Sequence, residues 1–295
     1  MIGHLQTIAA VLFPPPRVRF TRERWETPDG DFIDVDFAGD ARAPRRAVLF
    51  HGLEGCSDSH YARLLARALP EAGWRVAIAH WRGCSGEPNR KPRAYHSGDS
   101  AEVDWILRRF EPPVDALGVS LGGNALLKWL GEQGDAARAL VRRAAAISAP
   151  LDLAAAGSAL DRGLNRLLYT RMFLATLKPK SLAKLALFPG LFDATRVGAA
   201  HSFREFDDVF TAPLHGFRGV DHYWASSSSA AWLGRIRVPT LVINARNDPF
   251  LPERALLAAT RGAAACVSLE LPPSGGHVGF ARGWLARRLV EFLRA

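Results

Sequence analysis

Cysteine is scarce in these 295 residues: Cys56, Cys84 and Cys266 are three in number and show no C-x-x-C spacing. An odd, scattered set implies neither a disulfide framework nor a zinc site, and it fits a reducing, cytoplasmic setting. H-x-H and H-E-x-x-H ligand spacings are missing, as is the phosphate-cradling G-x-x-x-x-G-K-[ST], so neither a metal nor a nucleotide cofactor is expected. Acidic residues are outnumbered 29 to 38 by basic ones, giving a net charge of +9, yet no run of five or more basic residues occurs. Scattered charge of this kind reads as a solvated surface. It argues against a nucleic-acid partner and allows at most peripheral contact with an acidic membrane. Long apolar runs are also lacking: Ile2 to Phe13 is short, has no basic segment before it and runs into Pro14-Pro15-Pro16. That is neither a signal peptide nor a membrane span, and residues 1–17 read as an arm closed by prolines. No internal repeat or low-complexity segment interrupts the chain.

What remains is the composition of a soluble α/β protein, long enough for one large core carrying an insertion. Val18 to Glu26 and Phe32 to Phe37, joined through Pro28-Asp29-Gly30, predict an antiparallel hairpin. Short apolar strands then alternate with helices: strand 46–50, helix 59–69, strand 75–79, a helix capped by Asp99 and reaching Phe110, strand 114–118, a further helix, and strand 144–148. Such alternation predicts a mostly parallel sheet with helices on both faces. Between Pro150 and about Arg237 the rhythm breaks into helix-leaning runs, Leu160 to Leu177 and Leu182 to Phe188, followed by an aromatic-rich stretch. The expected organisation is a core of residues 1–150 and 238–295 with a helical cap at 151–237. Strands at 238–244 and 267–271 and helices at 253–260 and 284–293 complete the core.

One stretch concentrates the chemistry. Apolar strand 114–118 stops at Gly118-Val119-Ser120-Leu121-Gly122 and passes straight into a helical pattern. On a strand-to-helix turn this tight, glycines two residues either side of the serine are a steric need, and the serine hydroxyl is pushed out beside a helix N-terminus. The five-residue pattern alone is weak, arising by chance in about one chain in ten of this length. Its partners strengthen it. A serine nucleophile needs a base and an acid that holds the base's tautomer. Asp248 follows one late strand and His277, between glycines, follows the next, which is the Ser…Asp…His order of an α/β-hydrolase. Asp152 is a rival acid, and His51, His96 and His215 are rival bases; His51 is better suited to shaping its own turn. Two backbone amides, of Leu53 and of Leu121, are the expected oxyanion hole.

Six stretches carry a family resemblance: His4-Leu5-Gln6-Thr7; His51-Gly52-Leu53-Glu54-Gly55; Arg82-Gly83-Cys84 with Arg93-Ala94-Tyr95-His96-Ser97-Gly98-Asp99; Ser120-Leu121-Gly122-Gly123-Asn124; Phe206-Asp207-Asp208 with Thr211-Ala212-Pro213-Leu214-His215-Gly216-Phe217; and Gly275-Gly276-His277-Val278-Gly279-Phe280. In that order and nearly end to end, the chain resembles the YheT-like branch of the α/β-hydrolase superfamily. The resemblance implies carboxylic-ester hydrolysis by Ser120, Asp248 and His277, without a cofactor, on a small-molecule or lipid-like ester. One departure is His222, where relatives tend to carry a second tyrosine beside Tyr223. Thioester or phospholipid hydrolysis by the same residues, and a non-catalytic binding role, are the competing readings.

Overall fold

The computed structural model describes residues 1–281 and 283–295. Eight strands form one sheet: β1 (Thr21–Glu26), β2 (Phe32–Ala38), β3 (Arg45–Phe50), β4 (Trp74–Ala79), β5 (Val114–Val119), β6 (Val141–Ile147), β7 (Thr240–Ile243) and β8 (Val267–Glu270), in the spatial order β1-β2-β4-β3-β5-β6-β7-β8. β1 and β2 pair antiparallel and β2 meets β4 antiparallel; every later pairing is parallel. The predicted hairpin is therefore the antiparallel margin of an otherwise parallel sheet. Gly30 makes its turn at φ 77°.

Alternation along each central strand feeds two cores. In β3, Val48 and Phe50 face one layer while Ala47 and Leu49 face the other. The first layer is covered by α3 (Ser100–Leu107) and α4 (Leu121–Gln133), through Val103, Ile106, Leu126 and Trp129. The second is covered by α2 (His60–Glu71) and the closing helix Trp284–Arg294, through Leu65, Leu69, Leu289 and Leu293. Because both faces are buried, these strands read as continuous apolar runs.

Three local expectations differ from the structure. Asp99 stands at the N-cap position of α3 but makes no capping bond; its buried carboxylate pairs with Arg93 instead, and α3 ends at Leu107, short of Phe110. An ion pair available in a dry site outcompetes a cap that the free amides can replace otherwise. The two amphipathic runs between β6 and β7 are one helical stretch over 163–187, with a π-helical turn at Arg166–Thr170 and Pro179 inside Arg171–Leu187. No strand occurs among the described residues between β6 and β7; short helices, including Leu153–Leu160 and Val220–Ser227, fill the segment and pack on one another through Phe203, Tyr223 and Trp224. Finally, the proline-closed arm begins as α1 (Ile2–Leu12).

Candidate active site

The serine turn follows from the backbone. Ser120 ends β5 and starts α4 at φ 52° and ψ −119°, a region that costs a side-chain-bearing residue on the order of 1–3 kcal/mol. The surrounding packing imposes it. A Cβ at Gly118 would lie 2.5 Å from the Gly122 carbonyl oxygen, and one at Gly122 would lie 2.3 Å from that of Phe50. Only glycine fits at either place, as the tightness of the turn predicts. The other described non-glycine residues at positive φ are Glu54, in the loop after β3, Ser148, directly after β6, and Val278, beside His277. Backbone strain is thus gathered at the C-terminal edge of the sheet.

Above that edge three side chains meet. His277 Nε2 lies 3.0 Å from Ser120 Oγ, and His277 Nδ1 lies 2.9 Å from Asp248 Oδ2. The Asp248 carboxylate is wholly buried and the His277 ring nearly so. Its second oxygen accepts the Phe250 N–H at 2.8 Å, and the Phe250 ring stacks on the imidazole with centroids 4.1 Å apart. A neutral imidazole protonated on Nδ1 satisfies both neighbours at once: it donates to the carboxylate and accepts from the serine hydroxyl.

The rivals are occupied elsewhere. Asp152 caps helix Leu153–Leu160 by accepting the Ala155 N–H. His51 bonds its own turn at the Gly52 carbonyl and accepts the Trp81 N–H, and burial pushes its pKa down to about 3. His96 and His215 meet with centroids 4.5 Å apart and rings tilted by 53°, and burial likewise lowers each to about 3. All three stay neutral and none reaches Ser120.

Among the described residues the backbone N–H groups of Leu53 and Leu121 form no hydrogen bond, while the residues on either side of Leu53, Gly52 and Glu54, donate to Tyr61 and Tyr95. The Leu121 amide is one of the unpaired donors that open α4. Both leucines line a cavity of about 440 Å³ that also touches Ser120 and His277, within the roughly 300–1,000 Å³ of ligand pockets. Phe173, Leu177, Phe203 and Trp224 make its far wall apolar. Phe203 and Trp224 belong to an apolar cluster among the helices between β6 and β7 as well as to this wall; Phe217 packs only on that cluster, against His96 and Tyr223. His222 accepts the Arg218 N–H away from the cavity, so the departure there leaves the lining intact.

Other contacts at the site had no chemical reading in the sequence. α1 lies against the His277 loop: the His277 N–H donates to Thr7 Oγ1 at 2.8 Å, and the Gly275 N–H donates to Gln6 Oε1 at 3.1 Å. Asn247 ties the Asp248 loop to the same place, donating to Gln6 Oε1 and accepting from the N–H groups of Gly275 and Gly276. His4 Nδ1 sits 3.1 Å from the Tyr169 hydroxyl, on the helical stretch between β6 and β7. The stretch His4-Leu5-Gln6-Thr7 was the available signal.

Comparison with known proteins gives the family of the chain. Residues 48–193 match a family model described as the alpha/beta hydrolase fold. Over 98% of its length the chain is 38% identical to "Putative esterase YheT" of Escherichia coli, covering 89% of that protein. The chain belongs to the YheT-like branch of the α/β-hydrolase superfamily. This hydrolase is also 30% identical to mouse "Phospholipase ABHD3", over 91% of the chain and 68% of that protein. An esterase from Exiguobacterium antarcticum shares its fold, with TM-score 0.64 at 18% identity over 93% of this chain and all of the other. Among the described residues no helix is long and apolar enough to cross a membrane, and no group of three or more His, Cys, Asp or Glu could hold a metal ion.

Proposed function

We propose that this hydrolase is a serine esterase that cleaves carboxylic esters of short to medium acyl chain through an acyl-enzyme. The observation that carries the reading is the unbroken Asp248–His277–Ser120 hydrogen-bonded chain at the mouth of an apolar cavity. Ser120 Oγ attacks the ester carbonyl as His277 Nε2 takes its proton, and Asp248 holds the imidazolium. The carbonyl oxygen, now anionic, is held by the amides of Leu53 and Leu121; losing one such donor typically costs about 2.7–4 kcal/mol. Collapse expels the alkoxide, which receives the proton from His277. Water then attacks the acyl-serine with His277 again as base, releasing the carboxylic acid and restoring Ser120. The core of residues 1–150 and 238–295 supplies these groups, and the cap, 151–237, supplies the acyl wall.

The apolar wall and the phospholipase relative support lipid-like esters as a second substrate class for the same residues. Rates on p-nitrophenyl esters of increasing chain length separate the two, since a short-to-medium enzyme peaks in kcat/KM before the long chains. A fluorophosphonate is expected to label wild type at Ser120, and Ser120→Ala is expected to abolish both labelling and turnover. Failure of well-folded wild type to react, or full turnover by Ser120→Ala, refutes the assignment.

A further inference from the structure

Exposed apolar side chains are unevenly distributed on this molecule. Of the thirteen large ones exposed among the described residues, six lie in Met1–Phe13 and six between Leu164 and Leu187; Leu257 alone lies elsewhere. The two segments meet, because the His4 ring stacks on Tyr169 with centroids 5.7 Å apart. α1 turns Gly3 and Thr7 inward and Ile2, Leu5 and Leu12 outward. Across the contact, Leu164, Leu168 and Met172 recur every four residues along the outer side of the 163–187 stretch. Its inner side, with Phe173 and Leu177, is the wall of the cavity.

Charge follows the same division. Residues 1–22 and 162–192 contain no Asp or Glu at all. Arg162, Arg166 and Arg171 are exposed beside Leu164, Leu168 and Met172, and none of them forms an ion pair among the described residues. An apolar stripe interleaved with unpaired arginines matches the interface of a bilayer whose headgroups are anionic. A second copy of the chain fits worse. A two-fold contact would set one acid-free, arginine-bearing face against another.

We propose that α1 and the outer side of residues 163–187 form a docking face for anionic membrane surfaces. The face lies on the back of the cavity wall, so docking sets the cavity beside the layer where amphipathic esters partition. The binding itself does not depend on the acyl-transfer reading.

Co-sedimentation with vesicles of phosphatidylcholine, with and without phosphatidylglycerol, tests this on the whole chain. Wild type is expected to bind the phosphatidylglycerol vesicles, weakly or not at all the neutral ones, and less as salt rises. Each of Arg166→Gln and Arg171→Gln is expected to weaken partitioning about 5-fold. Leu167→Glu and Leu168→Glu, outside the cavity, are expected to weaken it at least about tenfold with thermal melting unchanged. Wild type that stays in the supernatant with anionic vesicles overturns the proposal. So does a wild-type dimer in sedimentation velocity that Leu168→Glu converts to monomer, because the face then belongs to a second copy.

Discussion

Replacing Thr7 by valine tests how His277, the proposed base, is held. Valine keeps the shape of threonine and removes one hydroxyl, which accepts the His277 N–H at 2.8 Å and donates to the Gly3 carbonyl. No other acceptor serves the His277 N–H among the described residues. An amide left unpaired in a partly buried site costs about 1–2 kcal/mol, the lower part of the usual range because some solvent reaches the loop. That penalty falls on the loop carrying His277, whose next residue, Val278, already sits at φ 59°, and it leaves the sheet untouched. If the ordered loop pays it each time the imidazole takes up its working position, kcat falls about 5- to 30-fold, tenfold for each 1.4 kcal/mol. KM changes little, since Thr7 does not line the cavity.

The assay is the rate of fluorophosphonate inactivation beside steady-state hydrolysis of a short p-nitrophenyl ester. Both rates are expected to drop by the same factor in Thr7→Val. Thr7→Ser, which keeps the hydroxyl, is expected to return close to wild type, whereas a purely packing role for the methyl group predicts the reverse ranking. Gln6→Leu is expected to cost less than Thr7→Val, because the Gly275 N–H keeps Asn247 Oδ1 as a second acceptor. A well-folded Thr7→Val that is labelled at the wild-type rate refutes the reasoning.

Gly122→Ala is expected to unfold or inactivate the protein, because the new Cβ would lie 2.3 Å from the Phe50 carbonyl oxygen, a backbone atom that cannot step aside; soluble yield and melting temperature check it. Burial raises the Asp207 carboxyl from 3.8 to about 6, against the hydrogen bonds from Thr211 and Trp224 that lower it. A group whose folded pKa is raised above its unfolded one loses stability as pH climbs between the two values, here about 4 to 6, on the order of 3 kcal/mol in all. Asp207→Asn is therefore expected to melt higher than wild type at pH 7 and to lose that advantage by about pH 4. Arg82→Met leaves buried Asp31 and Glu102 without their main cation and is expected to cost about 3 kcal/mol in urea unfolding. The low end of the range applies because Arg93 still reaches Glu102 and Asn89 still reaches Asp31.

The candidate site was legible where local chemistry and fold geometry ask for the same residue. Gly118 and Gly122 serve a steric need within five residues of Ser120, and Asp248 and His277 follow strands whose parallel order carries their ends to one edge. Asp152, before an apolar run, stood in the sequence only as a rival acid, and the structure makes it the cap of helix Leu153–Leu160. Asp99 offered the same local signal and behaves otherwise, because Arg93, six residues upstream, competes for it in a dry interior that no local pattern reveals. Pro179 invites a break that does not occur; packing of the 163–187 stretch on the cavity outweighs one missing hydrogen bond. α1 was illegible for a different reason. A helix ordinarily announces itself by turning apolar residues inward. This one turns Gly3, Gln6 and Thr7 toward two loops and leaves Ile2, Leu5 and Leu12 outside, so its pattern is inverted. What holds it is hydrogen bonding to the loops of His277 and Asp248, with Ile8 packed against Tyr169 and Phe250. An arm built that way is recognisable from sequence only once the loops it serves are known.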